Sequence, residues 1–381
     1  MPLTVSIKES IHELPRDKWD DLEDGDSPFL RHGFLTALEE SGSVGGSSGW
    51  KPFFIVVENE NGWAGATMCC LKTHSYGEYI FDWAWTNAYR QSGQSYYPKC
   101  VIAAPFTPAT GKRFLVNKEE SQDEVVLALI EAAEEIATSF GSSSMHVLFC
   151  EETERAVLSK AGYLPRLTHQ FHWKNKGFED YDGFLATLTS RKRKQLKKER
   201  RKALEPLDKI VFCDTADVLM TDLDRLDGYY RKTVQEHHGM DYLRPGFFHC
   251  LKETLPKEMK LAKAMADGKM IAGALFLETE KKLFGRYWGA SQFVEQLHFE
   301  LAYYTGIERA IVKKLDLFEA GAQGDHKLLR GFEPSPTYSA HKMFMPEFHQ
   351  AIGQFLEQER RQTEHKIKAL RDYLPFKKNE P

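Results

Sequence analysis

The sequence predicts an α/β protein of two tandem domains, each a mainly antiparallel mixed sheet flanked by helices. Three observations carry this reading. Residues 260–266 and 269–277 are apolar runs separated by Asp267-Gly268, a strong hairpin signal. Behind them lie an apolar stripe at helical spacing and a short apolar strand that enters a glycine turn. The same order of hairpin, strand, helix, strand, helix, strand also occurs earlier, with little residue identity between the two passes. Repetition of a whole element order points to structural duplication. A chain of 381 residues is long for one domain and comfortable for two.

In the first pass, 53–57 and 63–72 form a hairpin about a turn at 59–62, and 99–104 supplies a further strand. Residues 122–140 read as a helix with Val125, Leu129, Ala132 and Ile136 on one stripe. A strand at 146–149, a short helix at 153–161 closed by Gly162, and a strand at 169–173 follow. In the second pass, Glu280-Lys281-Lys282 turns the hairpin into a third strand at 283–289. A helix at 297–314 places Leu301, Tyr304, Ile307, Ala310 and Ile311 on one face. A strand at 315–318, a short helix at 327–332 and a strand at 337–343 complete it. The expected domains are 1–178 and 179–345, with 346–381 a C-terminal helix and tail. That helix alternates Phe348, Ile352, Phe355 and Leu356 with charged residues and is expected to pack on the second domain.

Composition narrows the function. No apolar run approaches the ~18 residues of a membrane helix. The first ten residues lack the basic and apolar regions of a signal peptide, so a cytoplasmic chain is expected. Six scattered cysteines without a C-x-x-C pair read as reduced core residues. The adjacent histidines of His237-His238-Gly239 would point about 100° apart on a helix, and no metal site is expected. Net charge is only −4, but 191–202 holds nine cations against Glu199 alone. Thr189 or Ser190 can cap the helix this run begins, and Arg191, Lys192, Arg193 and Lys194 are the candidate anion-binding residues. A poly-anion such as tRNA suits so many charges; the plainer alternative is a solvated basic helix.

Residues 318–342 concentrate the chemistry. A short strand enters a turn with Gly321 and Gly324, and Glu319, Gln323, Asp325, His326, Lys327 and Arg330 crowd beside it. Polar groups of several kinds at the C-terminal end of a strand are the usual makings of a site. Asp325 reads as the N-cap of the short helix. His326, with an unperturbed pKa of ~6.5, suits proton transfer, unless it packs beneath the turn. An aromatic patch of Tyr79, Phe81, Trp83, Trp85, Tyr89, Tyr96 and Tyr97 surrounds Asp82. Such patches are more often core than platform, but a carboxylate among rings must find a partner or shift its pKa.

Several stretches together resemble one family. They are S-Y-G-E-Y-I-F-D-W-A-W (75–85), S-Y-Y-P-K (95–99), A-A-P-F-T-P-A-T-G-K-R (103–113), Q-F-H-W-K-N (170–175) and S-R-K-R-K (190–194). G-R-Y-W-G (285–289), L-H-F-E (297–300) and G-A-Q-G-D-H-K-L-L-R-G-F-E-P (321–334) complete the set. The sequence resembles the FemAB-like peptidoglycan biosynthesis/recognition family, a tandem branch of the GNAT superfamily. The resemblance implies two GNAT-like domains and transfer of an activated acyl group onto an amine, possible donors being aminoacyl-tRNA and acyl-CoA. The amine would belong to a cell-wall precursor or related peptide, and no tightly bound cofactor is implied. His326 or Asp325 would be the base or its orienter, Glu319 would hold the amine, and Gln323 would donate to a carbonyl oxygen. Arg286, Tyr287, Trp288, Lys327, Arg330 and Asp82 would bind substrate. The usual CoA loop of the superfamily, Q/R-x-x-G-x-G/A, is absent from 289–296, which carries Glu295. Its counterpart at 107–113 has one glycine and the cations Lys112 and Arg113, a candidate anion site. The alternative function is a non-catalytic GNAT pair that binds a peptide, precursor or nucleic acid.

Overall fold

The computed structural model describes residues 3–23, 25–236, 239–322 and 324–377. The chain divides into two compact units, 1–168 with 242–247 and 336–365, and 169–241 with 248–335 and 366–381. In chain order the first stretch carries β1 (Thr4–Lys8), α1 (Arg16–Asp21), α2 (His32–Glu40), β2 (Trp50–Asn59), β3 (Gly62–Lys72) and α3 (Trp83–Gln91). Then come β4 (Lys99–Ile102), β5 (Leu115–Val116), α4 (Gln122–Ser139), β6 (Ser144–Cys150), α5 (Glu152–Lys160) and β7 (Leu164–Lys174). The next stretch carries α6 (Tyr181–Thr187), α7 (Ser190–Leu204), β8 (Lys209–Asp214), α8 (Met220–Glu236), α9 (Phe247–Thr254), β9 (Met259–Ala266), β10 (Lys269–Glu278) and β11 (Lys282–Ala290). It continues with α10 (Leu297–Phe299), α11 (Thr305–Val312) and β12 (Leu317–Glu319), and the chain closes with β13 (Glu333–Met343) and α12 (Pro346–Arg371).

Both units follow one plan, as the repeated element order predicts. The first runs β1-β2-β3-β4-β6-β13 and the second β7-β12-β11-β10-β9-β8. Pairing is antiparallel except where β4 meets β6 and β11 meets β12. A parallel pair needs a crossover. In the first unit α4 provides it, burying Val125, Leu129, Ala132 and Ile136 against Ile55, Cys69 and Met145. In the second, the helical stretch 297–312 provides it, burying Leu301, Tyr304, Ile307, Ala310 and Ile311 against Phe276, Leu283 and Phe318. Each large apolar side chain so buried contributes about 1.5–3 kcal/mol.

Boundaries move where caps decide them. The strand expected at 315–318 forms at Leu317–Glu319 because Lys314 turns left-handed (φ 55°) and Leu315 N–H closes the helix onto Ala310 O at 2.8 Å. The six cysteines are free thiols, five of them buried. His237 and His238 lie outside the described residues. The part of α12 at 346–365 packs on the first unit, not the second. Phe348 stacks on Tyr89 at 3.8 Å, and Ile352 and Leu356 join Trp85 and Tyr96. Amphipathic spacing shows that a helix has an apolar face, not which surface receives it.

The aromatic patch separates accordingly. Trp85, Tyr89 and Tyr96 are core, whereas Phe81 and Trp83 are 57% and 41% exposed. Asp82 is an internal anchor and not a ligand group. The fully buried Lys99 Nζ donates to Asp82, to Glu78 Oε2 at 2.7 Å and to Ser75 Oγ at 2.8 Å, and the Tyr96 hydroxyl donates to Asp82 Oδ2 at 2.7 Å. Burial pulls the Lys99 ammonium down, but Glu78 and Asp82 outweigh it and hold it above its usual range. Lys99→Met should therefore leave buried Asp82 without its cation and Glu78 with only Lys72 at 3.9 Å, and cost about 3–5 kcal/mol in urea unfolding. An unchanged midpoint would show that the pair is not coupled to the fold.

Candidate active site

The parallel pairing of β11 and β12 covers only Lys282–Phe284 and Leu317–Glu319, while β11 runs on to Ala290. Opposite β10, Tyr287 pairs with Leu275 and Gly285 with Phe276, leaving Arg286 as an extra residue. Such a β-bulge bends its strand locally, and it falls just beyond Phe284, where the pairing with β12 ends. On the helix side, Glu300–Tyr304 forms a π-turn between α10 and α11, a local unwinding common at functional sites. Between them opens a cavity of about 130 Å³, lined by Gly285, Arg286, Trp288, His298, Tyr303 and Ala320 among others.

The glycine turn closes one side. Gly321 and Gly324 have φ of 82° and 109°, and a Cβ on Gly324 would stand 2.4 Å from His326 Cε1, so only glycine fits there. Lys327, 1% exposed, donates from Nζ to Gly321 O at 2.5 Å and lies 6.0 Å from the Tyr303 ring centroid. Burial, helped by Arg286, pushes its ammonium down to about 7. His326 Nε2 is 2.8 Å from the Tyr303 hydroxyl. Burial, then Arg330 and Lys327, hold the imidazole below its usual value, so it is neutral at pH 7 and able to accept that proton. Burial pushes Tyr303 up to about 12, which keeps it a phenol.

Glu319, 5% exposed, places Oε2 3.8 Å from His172 Nε2 on the neighbouring strand. The contact is not an ion pair, because burial, with Lys327, Lys174 and Lys282, pushes His172 down to about 3. Gln170 Oε1 is 3.3 Å from the same imidazole nitrogen.

Of the residues expected from sequence, Arg286, Tyr287 and Trp288 line the cavity, His326 and Lys327 reach it through Tyr303, and Glu319 precedes the lining residue Ala320. Asp325 is exposed and begins a 3-10 turn, Asp325–Arg330, whose cap is Gly324, so it is not the N-cap. Gln323 lies outside the described residues. Arg330 is a brace: it donates to Glu199 Oε2 at 2.8 Å, Tyr304 Oη at 3.0 Å and His326 O at 2.9 Å, with its guanidinium over Phe299. An arginine so engaged has little left to offer a substrate. His172, His298 and Tyr303 were not singled out. His172 and His298 stand in the motifs Q-F-H-W and L-H-F-E, which do not separate a site residue from a packed one, and Tyr303 lies beside the helical stripe with no signal of its own.

In the first unit the loop 107–113 is tied to β6. Buried Arg113 donates to Leu148 O at 2.7 Å, Ala109 O at 2.5 Å and Lys112 O at 2.9 Å, and Gly111 N–H bonds Phe149 O at 3.1 Å. Glu154, whose carboxyl burial pushes up to about 7, accepts the Arg113 and Phe114 N–H groups. Arg113 thus fills the loop in which, with Lys112, it was expected to hold an anion. The basic run forms α7, where Arg191 and Lys194 are exposed and Lys192 and Arg193 half-buried. Among the described residues no cluster of His, Cys, Asp and Glu suits a metal, and no helix is long and apolar enough to cross a membrane.

Two units with this strand order and crossover helix define a tandem GNAT fold. The family model of FemAB-like proteins, peptidoglycan biosynthesis/recognition, matches residues 10–378, and the chain belongs to that family. Among solved structures it is similar to FemX, with a TM-score of 0.55 and 12% identity over 93% of this chain and 100% of that one. The C-terminal domain of a putative lysylphosphatidylglycerol synthetase from Agrobacterium fabrum scores 0.55 at 11% identity, covering 89% and 96%. A conserved protein of unknown function from Bacteroides thetaiotaomicron scores 0.52 at 12%, covering 90% and 100%. At these identities the likeness is one of fold. No curated protein matches the sequence.

Proposed function

We propose that this chain is an acyl or aminoacyl transferase that moves an activated acyl group from aminoacyl-tRNA or acyl-CoA onto an amine of a cell-wall precursor or related peptide. The observation that carries it is Lys327, a buried lysine pushed down to about 7 whose ammonium lies 6.0 Å from the ring of Tyr303, a residue that lines the cavity between β11 and the π-turn. The family's description, peptidoglycan biosynthesis/recognition, supports a cell-wall precursor as acceptor. A cavity of about 130 Å³ equals about four waters of liquid volume, room for a small acyl group and not a fatty chain.

In the reaction the acceptor nitrogen attacks the carbonyl carbon, forming the C–N bond and a tetrahedral oxyanion. Protonated Lys327 donates to that oxygen. Neutral His326 takes the amine proton through the Tyr303 hydroxyl, which receives one proton as it gives up another. Collapse breaks the bond to the leaving oxygen or sulfur, which departs with the proton that His326 gives back. Glu319 accepts a hydrogen bond from the neutral acceptor amine before attack. The 289–296 loop favours an aminoacyl donor over CoA, since Glu295 puts a carboxylate where the superfamily binds pyrophosphate, paired at 2.8 Å with Lys202.

His326→Gln tests the relay. Turnover should fall about 10²–10⁴-fold with donor binding and unfolding midpoint nearly unchanged. Retained activity would remove His326 from the reaction, and loss of folding would mark it as a packing residue of the turn.

A further inference from the structure

The nine cations of α7 are not equivalent. Leu196 and Ala203 are buried, and Glu199 and Arg200 flank them on the inner face. From there Glu199 accepts Arg330, and Arg200 donates to Glu300 at 2.7 Å and Glu308 at 2.6 Å. Glu300 opens the π-turn that carries Tyr303. Lys197 pairs with Asp182 at 2.9 Å and Lys202 with Glu295 at 2.8 Å, one on each flank. Of the other six, Lys192, which donates to Gln195 Oε1 at 3.4 Å, and Arg193 are half-buried, while Arg191, Lys194, Lys198 and Arg201 are exposed and, among the described residues, have no carboxylate at ion-pair distance. Their spacing of three, four and three residues puts them on one line about 15 Å long, opposite the buried face.

We propose that this stripe is a docking surface for the phosphodiester backbone of a double-helical RNA. Four like charges on adjacent turns repel one another, and a line of phosphates relieves that repulsion with the release of condensed counterions. The shape selects the partner. An anionic bilayer presents a plane of charge, and the carboxylates of Asp182 and Glu295 on the two flanks would be pressed against it. A rod-shaped polyanion meets the stripe between them. RNA is preferred to other linear polyanions on the transferase reading, which names an RNA-borne donor. The same helix braces the π-turn from its inner face, so an RNA seated outside is held by an element bonded to the site.

The test measures binding without turnover. Fluorescence anisotropy of the full chain with a labelled RNA duplex of about 16 base pairs should show affinity falling roughly a hundredfold between 50 and 200 mM KCl, as about four phosphate contacts require. The variant R191Q/K194Q/K198Q/R201Q should lose most of that affinity and flatten the salt slope by about three, with its circular dichroism unchanged. The control K197Q/K202Q, which removes cations already paired, should change the slope by less than about one. Equal duplex binding by wild type and the quadruple variant overturns the proposal. So does capture by phosphatidylglycerol vesicles in place of RNA. Failure of transfer with every donor, with stripe-dependent RNA binding intact, would sink the transferase reading and leave the docking surface standing. Transfer from acyl-CoA without stripe-dependent binding would do the reverse.

Discussion

Lys327→Met should lower acyl transfer about 10²–10³-fold while leaving the protein as stable as before, or more so. The rate loss follows from removing the ammonium proposed to meet the developing oxyanion, since a single such donor is worth that much. Stability is spared because methionine keeps the methylene stem, which is buried beside Tyr303, and removes a cation that burial already disfavours. The pH profile adds a signature that packing alone would not produce. His326 must be neutral and Lys327 charged, so kcat/KM should rise as His326 loses its proton, at a pH below about 6.5, and fall above about 7 as Lys327 loses its own. In the methionine variant the residual rate should keep the rising limb and lose the falling one. A profile that climbs through pH 7 in the wild type would assign Lys327 the role of base and not of oxyanion donor. Unchanged kcat/KM in the variant would exclude it from the reaction.

The slope of stability against pH should change in the first unit when His146 and His341 are replaced. Their Nδ1 atoms face each other at 2.8 Å, with Trp85 against both rings. His146 Nε2 contacts Ser144 Oγ at 2.8 Å and the Tyr96 hydroxyl at 3.2 Å, and His341 Nε2 contacts Ser339 Oγ at 2.9 Å. One proton bridges the two Nδ1 atoms; a second would set two N–H groups head to head. Burial first holds both imidazoles well below their usual value; Lys99 and Arg166 lower each further, and His341 is also lowered by His146. Unfolded, each titrates near 6.5. Below that pH the unfolded chain takes up protons that the folded chain refuses, so this contribution is present above about 6.5 and is lost as pH falls, by about 1.4 kcal/mol per pH unit for each histidine. Carboxyls that burial raises, such as Glu154, Glu78 and Glu300, work the opposite way. They remain in the variant, so the difference isolates the imidazoles. Urea unfolding of wild type and H146Q/H341Q at pH 7.5, 6.5 and 5.5 should give slopes that differ by about 2–3 kcal/mol per pH unit below pH 6.5. Parallel slopes would mean that the pair already carries a proton when folded.

What the sequence determined by itself was the succession of elements and the inward face of each. Val125 to Ile136 and Leu301 to Ile311 lie in the two cores as their spacing requires, because helical periodicity is a relation between residues three and four apart. Gly324 was legible for a similar reason, since the conformation it needs is local to one turn. Only the tertiary structure decided which charges are free. Arg330 and Glu199 are 131 positions apart, and His146 and His341 are 195 apart. No local pattern marks one as the partner of the other. Asp82 read as a ligand group until Lys99 came to it across the fold, and Arg113 as an anion site until three carbonyls closed on its guanidinium. A charged side chain serves as ligand or brace according to what folding brings within about 3 Å of it. That distance is set by strand register and helix docking, which the order of residues constrains only through the whole packed core.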